Sequence, residues 1–249
     1  MGNPTACIVV IGNEVLSGRT QDANTVYLAK RLGELGIPLR EVRIIPDVAG
    51  TIIATVNEMR AAYDHVFTTG GIGPTHDDIT SECIAAAFGV PWEAEPVVWA
   101  RMVAHYPPGT FNAARQRMAT MPRGAVLIDN GHIAPGFSMG NVHVMAGVPS
   151  IMRLMFESLA PTLPRGVPVV SRSVHATGVR EGDIAAGLTD IQARFSTLDL
   201  GSYPYFREGV SGVTIVAKGI DAVAAEAAIV EVAALFAETG SAAIAGEPG

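Results

Sequence analysis

The chain has 249 residues, of which 49% are apolar, and a formal net charge of −7 at pH 7. That length suits one large domain, or a large domain with a small companion, and the apolar share is enough for a sizeable core. With no basic block, the acidic balance excludes a dedicated DNA or RNA surface, and no apolar run approaches the roughly 20 residues of a membrane span.

In chain order, Ala6 to Ile11 is a continuous apolar run, the pattern of a strand covered on both faces. It starts without the basic segment that precedes a signal sequence, so a cytoplasmic protein is expected. From Asn24 the period changes: Leu28, Leu32 and Leu35 recur at helical spacing and Gly36 stops the helix. Leu39 to Ile45 reads as a strand ended by Pro46-Asp47, Val48 to Ala62 as a helix, and His65 to Thr69 as a third strand. A glycine-rich loop follows, then a helix from Ile79 to Phe88 closed by Gly89. Strand and helix alternating in this way imply parallel βαβ units.

Trp92 to Met121 reads as helical, interrupted by Pro107-Pro108-Gly109, an insertion suited to covering a site. Trp92, Trp99 and Tyr106, seven residues apart, would share one helix face there. Ala125 to Ile128 and Asn141 to Met145 read as strands joined by the turn-rich stretch 130–136, and Ser150 to Leu159 as a capped helix. Pro161, Pro164, Gly166 and Pro168 mark a linker. The remainder reads as an α+β unit, with strands over Val169–Thr177, Leu200–Tyr205 and Val213–Lys218. Its helices run over Asp183–Phe195 and onward from a capping Asp221, and the tail Ser241–Gly249 is expected to be loose. The domains are therefore placed at 1–165 and 166–249.

In an open parallel sheet, ligands bind where the carboxyl ends of the strands feed their loops. Gly12-Asn13-Glu14 with Asp22 and Asn24 follow the first strand, Asp47 the second, and Gly70-Gly71-Ile72-Gly73-Pro74-Thr75-His76-Asp77-Asp78 the third. Acids converging from separate loops suit a divalent metal or proton transfer. Gly70, Gly71 and Gly73 let the backbone approach a ligand, and free N–H groups ahead of a helix attract a phosphate. Asp77 and Asp78 repel phosphate directly but suit a Mg²⁺-type ion that binds it.

Plainer readings stand beside these. Asp78 has the position of a helix N-cap, Glu14 and Asp22 that of solvated loop acids, and His76 that of a loop residue. The loop is neither a Walker A nor a G-x-G-x-x-G sequence, and no Ser-His-Asp set or nucleophile elbow is present. Cys7 and Cys83 read as small buried apolar residues.

Gly12-Asn13-Glu14-Val15-Leu16-Ser17-Gly18-Arg19, Asp22-Ala23-Asn24, Asp47 and Thr69 through Thr80, taken together, resemble the molybdopterin-binding domain of the CinA (competence/damage-inducible) family. The same domain resembles the N-terminal region of eukaryotic FAD synthases and, more distantly, molybdopterin adenylyltransferases and molybdenum-insertion proteins. Further matches are Arg115-Gln116, Pro122 to Ala125, Asn130, Ala134 to Phe137, Ala176 to Ile184 and Gly201 to Pro204, so residues from about 5 to 240 are covered.

The resemblance implies a three-layer α/β fold with an open, mostly parallel sheet of the MoaB/Mog-like kind and a smaller C-terminal α+β domain. It implies a metal-dependent pyrophosphatase acting on ADP-ribose or FAD-like nucleotide diphosphates, with Asp47 and Asp78 on the metal; joined to the reading of the loop, Asp47, Asp77 and Asp78 are the expected catalytic acids. Gly70, Gly71, Gly73, Pro74, Thr75 and Thr80 would line the ligand pocket, facing Gly12, Asn13, Glu14, Asp22 and Asn24. Molybdopterin is a further ligand it implies, and a homo-oligomer, dimer or trimer, is expected. A non-catalytic binding module and a molybdopterin adenylyltransferase are the alternatives. Ile151 stands where the family carries Glu, and the amidase domain of full-length family members has no counterpart here.

Overall fold

A computed structural model describes residues 2–131, 133–207 and 209–248 and divides the chain into two units, 1–166 and 167–249. His132, inside the expected turn-rich stretch, and Gly249, the last residue of the expected loose tail, lie outside the described residues.

The strands of the larger unit are β1 (Ala6–Ile11), β2 (Leu39–Ile45), β3 (His65–Thr69), β4 (Trp92–Ala94), β5 (Thr120–Pro122), β6 (Val126–Ile128), β7 (Gly136–Met139) and β8 (Val142–Met145). Its helices are α1 (Asn13–Leu16), α2 (Asn24–Glu34), α3 (Ala49–Ala62), α4 (Thr80–Phe88), α5 (Pro96–His105), α6 (Ala113–Arg117) and α7 (Pro149–Leu159). The main sheet is ordered β2-β1-β3-β8-β7-β6. In it β2, β1, β3 and β8 run parallel, while β6, β7 and β8 pair antiparallel along the far edge.

Every residue of β1 is buried, as its unbroken apolar run requires for a strand with helices on both faces. Alternate β1 side chains divide between two cores. Cys7, Val9 and Ile11 face α3 and α4, where Ile52, Val56, Met59 and Ile84 are buried. Ala6, Ile8 and Val10 face α2 and α7, where Leu28, Leu32, Met152 and Phe156 are buried. Each large apolar side chain so enclosed contributes roughly 1.5–3 kcal/mol.

Three expectations need correction. The stretch read as one helical region from Trp92 to Met121 opens and closes as a two-stranded ribbon, β4 with β5. Between them lie α5 and α6, capped by Glu95 and Asn112 side chains that accept from Val98 N (2.7 Å) and Arg115 N (3.1 Å). Trp92, Trp99 and Tyr106 therefore share no helix face: Trp92 donates to Ser81 Oγ at 3.0 Å, while Trp99 and Tyr106 both pack on Phe111. Second, β7 occupies the end of the expected turn, and its pairing with β8 places Gly136 where a Cβ would lie 2.5 Å from Val144 O. Third, α7 starts on Pro149 with no side-chain cap, the fixed proline φ serving the first turn instead.

The smaller unit runs β9 (Val170–Thr177), α8 (Glu181–Arg194), β10 (Asp199–Arg207), β11 (Val210–Gly219), α9 (Ala222–Glu238) and β12 (Ile244–Ala245). Its antiparallel sheet is ordered β10-β11-β9-β12, a split βαβ pattern. Asp221 caps α9 as expected, accepting from Val223 N at 3.0 Å and Ala224 N at 2.9 Å. The expected loose tail instead pairs Ile244 and Ala245 with His175 and Val174, and His175 Nδ1 lies 2.8 Å from Gly246 O. Among the described residues, no helix is long and apolar enough to cross a membrane.

Candidate functional site

The carboxyl ends of β1, β3 and β8 lie side by side, so the loops that follow them converge. After β1, Gly12 N–H is held by Ile45 O at 3.1 Å, and Asn13 N–H donates to Asp47 Oδ2 at 2.8 Å. Asp47 thus ties the loop after β2 to the loop after β1. The Glu14 side chain folds back over Gly12, where a Cβ would lie 2.5 Å from its Oε1. Asp22 Oδ1 accepts from Asn24 N at 2.9 Å and Thr25 N at 3.3 Å, occupying donors that the first turn of α2 leaves free. Asn24 Nδ2 then reaches across to Gly147 O at 2.8 Å, joining the start of α2 to the loop after β8.

The glycine loop after β3 needs its glycines for space. Gly70 has φ +102°, and a Cβ there would overlap Ile11 O. Gly71 has φ +69°, and a Cβ there would overlap the Thr80 hydroxyl; its carbonyl accepts Thr80 N–H at 2.9 Å. At Gly73 a Cβ would lie 2.6 Å from Asp78 Oδ2. Pro74 leads into the turn in which Asp78 Oδ2 accepts Thr75 N–H at 2.8 Å. Asp78 is therefore not the N-cap of α4, a position that falls to Ile79. Its carboxylate braces the loop from within.

Thr75 Oγ1 lies 2.6 Å from Asp77 Oδ1 and also bonds Asp78 Oδ2. One hydroxyl has one proton, so it satisfies only one of these carboxylates at a time, and the two acids are drawn together around a single donor. That hydroxyl holds the Asp77 carboxyl below the usual carboxylate range. The Arg117 guanidinium reaches the same loop, donating to Asp78 O at 3.2 Å and lying 3.5 Å from Glu82. His76 is exposed, with its Nδ1 3.9 Å from Asp77 Oδ1.

The structure divides by their partners the three acids expected around one ion. Asp77 and Asp78 meet at Thr75, whereas Asp47 is engaged with Asn13. Among the described residues, no group of three or more His, Cys, Asp or Glu side chains is placed to hold a metal. Two carboxylates are the number that a Mg²⁺ ion arriving on a phosphate takes from a protein, water supplying the rest.

Between the loops runs a cleft lined by Glu14, Asp22, Asn24, Thr69, Gly70 and Gly147, among others. Thr69 and Gly147 are lining residues that the sequence expectations did not place in the pocket. The signal for Thr69 was its position as the last residue of the strand feeding the loop. Gly147 became assignable only once β8 was seen beside β3, where a Cβ on it would lie 3.3 Å from Gly70 Cα. Two of the lining side chains carry a buried oxygen with no hydrogen-bond partner among the described residues, Asn24 Oδ1 and Thr69 Oγ1; the same holds for Thr25 Oγ1 and Thr80 Oγ1, outside the lining. Such atoms are rare in folded proteins, and what sets Asn24 and Thr69 apart from the equally unpartnered Thr68 is that they line the cleft. The cysteines play no part: burial pushes the Cys7 thiol up to about 12 and the Cys83 thiol up to about 11, keeping both protonated. Ile151 packs as a partly buried side chain against the core on the α2/α7 side of the sheet.

Comparison with known proteins adds family relations. Residues 7–165 match the family described as "Probable molybdopterin binding domain", and residues 168–243 match "FAD synthase, middle domain". A CinA-like protein of Parasynechococcus marenigrum is 35% identical over 198 residues, covering 74% of this chain and 47% of that one. A "Probable FAD synthase" of Caenorhabditis elegans is 31% identical over 229 residues, covering 80% of this chain and 44% of that one. The chain spans about half the length of these two relatives. A crystal structure of the protein CinA "with unknown function" from Thermoplasma acidophilum aligns with a TM-score of 0.61 at 27% identity. It covers 64% of this chain and 98% of that one.

Proposed function

From the premise that the chain belongs to the molybdopterin-binding domain family, as a CinA-like member, we propose that it is a metal-dependent hydrolase of nucleotide diphosphates such as ADP-ribose or FAD. The observation that carries the reading is the Asp77–Thr75–Asp78 arrangement inside a glycine loop. The backbone at Gly71 to Gly73 offers donors to a diphosphate at close range. Asp77 and Asp78 would hold the ion that accompanies it. When bound, such an ion neutralises phosphate charge and acidifies a water molecule. Asp47 acts one step back, holding Asn13 and hence the opposite wall of the cleft. The match to the middle domain of FAD synthase supports a nucleotide ligand.

Incubating the protein with ADP-ribose or FAD and Mg²⁺ tests the proposal, with Asp78→Ala as the control. Turnover is expected for the natural protein and a loss of at least about hundredfold for the variant, the scale of removing one charge-stabilising group. No hydrolysis with any divalent ion, or equal rates in both proteins, defeats it.

Ile151 favours a second reading, binding of a pterin or nucleotide without turnover, since an apolar side chain packed on the core supplies no acid. Calorimetry showing saturable binding and no product would establish that reading; steady turnover would exclude it.

A further inference from the structure

The cleft between the β1, β3 and β8 loops is unlike the glycine loop in its chemistry. Its lining carries the Glu14 and Asp22 carboxylates and, among the described residues, no Lys, Arg or His. A phosphate placed there would meet like charge. Asn24 is 5% exposed and Thr69 1% exposed, and each has a side-chain oxygen without a partner among the described residues. The orientation of the Asn24 amide follows from chemistry. A carbonyl only accepts, so the group facing Gly147 O at 2.8 Å must be the amide nitrogen, leaving Oδ1 as an unused acceptor.

We propose that Asn24 and Thr69 determine specificity by receiving a neutral, hydrogen-bond-donating part of the ligand, a sugar hydroxyl or a ring N–H, at the acidic end of the cleft. The ligand's phosphates then point to the glycine loop. This rests on the reading of the same site as a nucleotide or pterin pocket and adds a direction to it. The site is polarised, with acceptors at one end and backbone donors at the other, so a bare diphosphate uses half of it and a nucleoside diphosphate uses both.

An unpaired buried hydroxyl destabilises the ligand-free protein, so its removal has opposite effects on folding and on binding. Thr69→Val keeps the shape of the side chain. Thr68→Val is the matched control. Thr68 is also fully buried, with a hydroxyl unpartnered among the described residues. It pairs with Val9, on the opposite face of the sheet from the Val10 that pairs with Thr69.

The experiment is calorimetric titration of each protein with ADP-ribose, used as its non-hydrolysable methylene analogue, and, separately, with pyrophosphate, both with Mg²⁺, alongside thermal unfolding. Thr69→Val should bind ADP-ribose about tenfold more weakly, the scale of one lost hydrogen bond. It should bind pyrophosphate within about twofold of the natural protein and unfold at an equal or higher temperature. Thr68→Val should raise the unfolding temperature and leave both affinities unchanged. Equal weakening of both ligands by Thr69→Val, or no weakening of ADP-ribose, overturns the assignment while leaving the pocket itself standing. If the natural protein binds neither probe, the pocket reading falls, and this inference with it.

Discussion

The two ends of the strand pair β3–β8 bury polar groups in opposite ways. At the amino end, His65 Nδ1 lies 3.1 Å from His143 Nε2, and His143 Nδ1 lies 2.8 Å from Ser138 Oγ. The ring nitrogens that face one another are paired, and Phe67 packs 5.0 Å from the His143 ring. At the carboxyl end, Thr69 and Thr80 are as deeply buried, yet their hydroxyls are unpartnered among the described residues. Buried polarity that completes its own bonding stabilises a fold; buried polarity left incomplete weakens it. The difference separates two histidines with the look of an active site from two threonines with the look of core.

The sharpest way to break this contrast is at the carboxyl end. Gly70→Ala should destabilise by at least about 3 kcal/mol in urea unfolding, since a left-handed φ and an overlap with a backbone carbonyl are imposed together. A variant of natural stability would mean that the loop is free to rearrange. Next, His143→Ala should cost roughly 2–4 kcal/mol, because truncation leaves a cavity and strands the partners on either side.

A pH series sharpens the amino end. Burial lowers the pKa of His65 and, more strongly, that of His143, to about 3. The folded state therefore binds fewer protons than the unfolded state below the unfolded histidine value of about 6.5. Stability should be full above that pH and fall steadily as the solution is acidified toward His143's own value. Asp64, beside His65, is held below the usual carboxylate range by Thr5, so it adds to the loss in the same direction at lower pH. Urea midpoints at pH 7 and pH 5 measure the slope, which His143→Ala should flatten; equal slopes would show that the pair does not titrate. The smallest effect is expected from Ser138→Ala, about 1 kcal/mol for the single hydrogen bond beside His143.

Much of this architecture is visible in residue order because its signals are strong. Six apolar residues from Ala6 to Ile11 leave little choice but a strand buried on both faces, and Gly70, Gly71 and Gly73 before paired acids mark a tight loop between strand and helix. What escaped is short or depends on distant partners. Trp92–Ala94 and Thr120–Pro122 are too brief for a period-2 signal, and each is a strand only because the other is beside it. Ile244–Ala245 likewise depends on an open edge at β9. In the site, the roles of Asp47 and Asp78 divided in a way that spacing does not encode: one braces a neighbouring loop, the other its own. Thr69 reads in sequence as an ordinary strand residue; only the fold leaves its hydroxyl unpartnered among the described residues.

The hydrogen bond from Asn24 to Gly147 spans 123 positions of the chain. During synthesis, the start of α2 and the glycine loop both leave the ribosome before β8 exists. The acidic end of the cleft consequently cannot close until Gly147 has emerged. A nascent chain halted before that residue would carry every residue of the glycine loop and none of the cleft's closing wall. Completion of the cleft is thereby tied to completion of the domain.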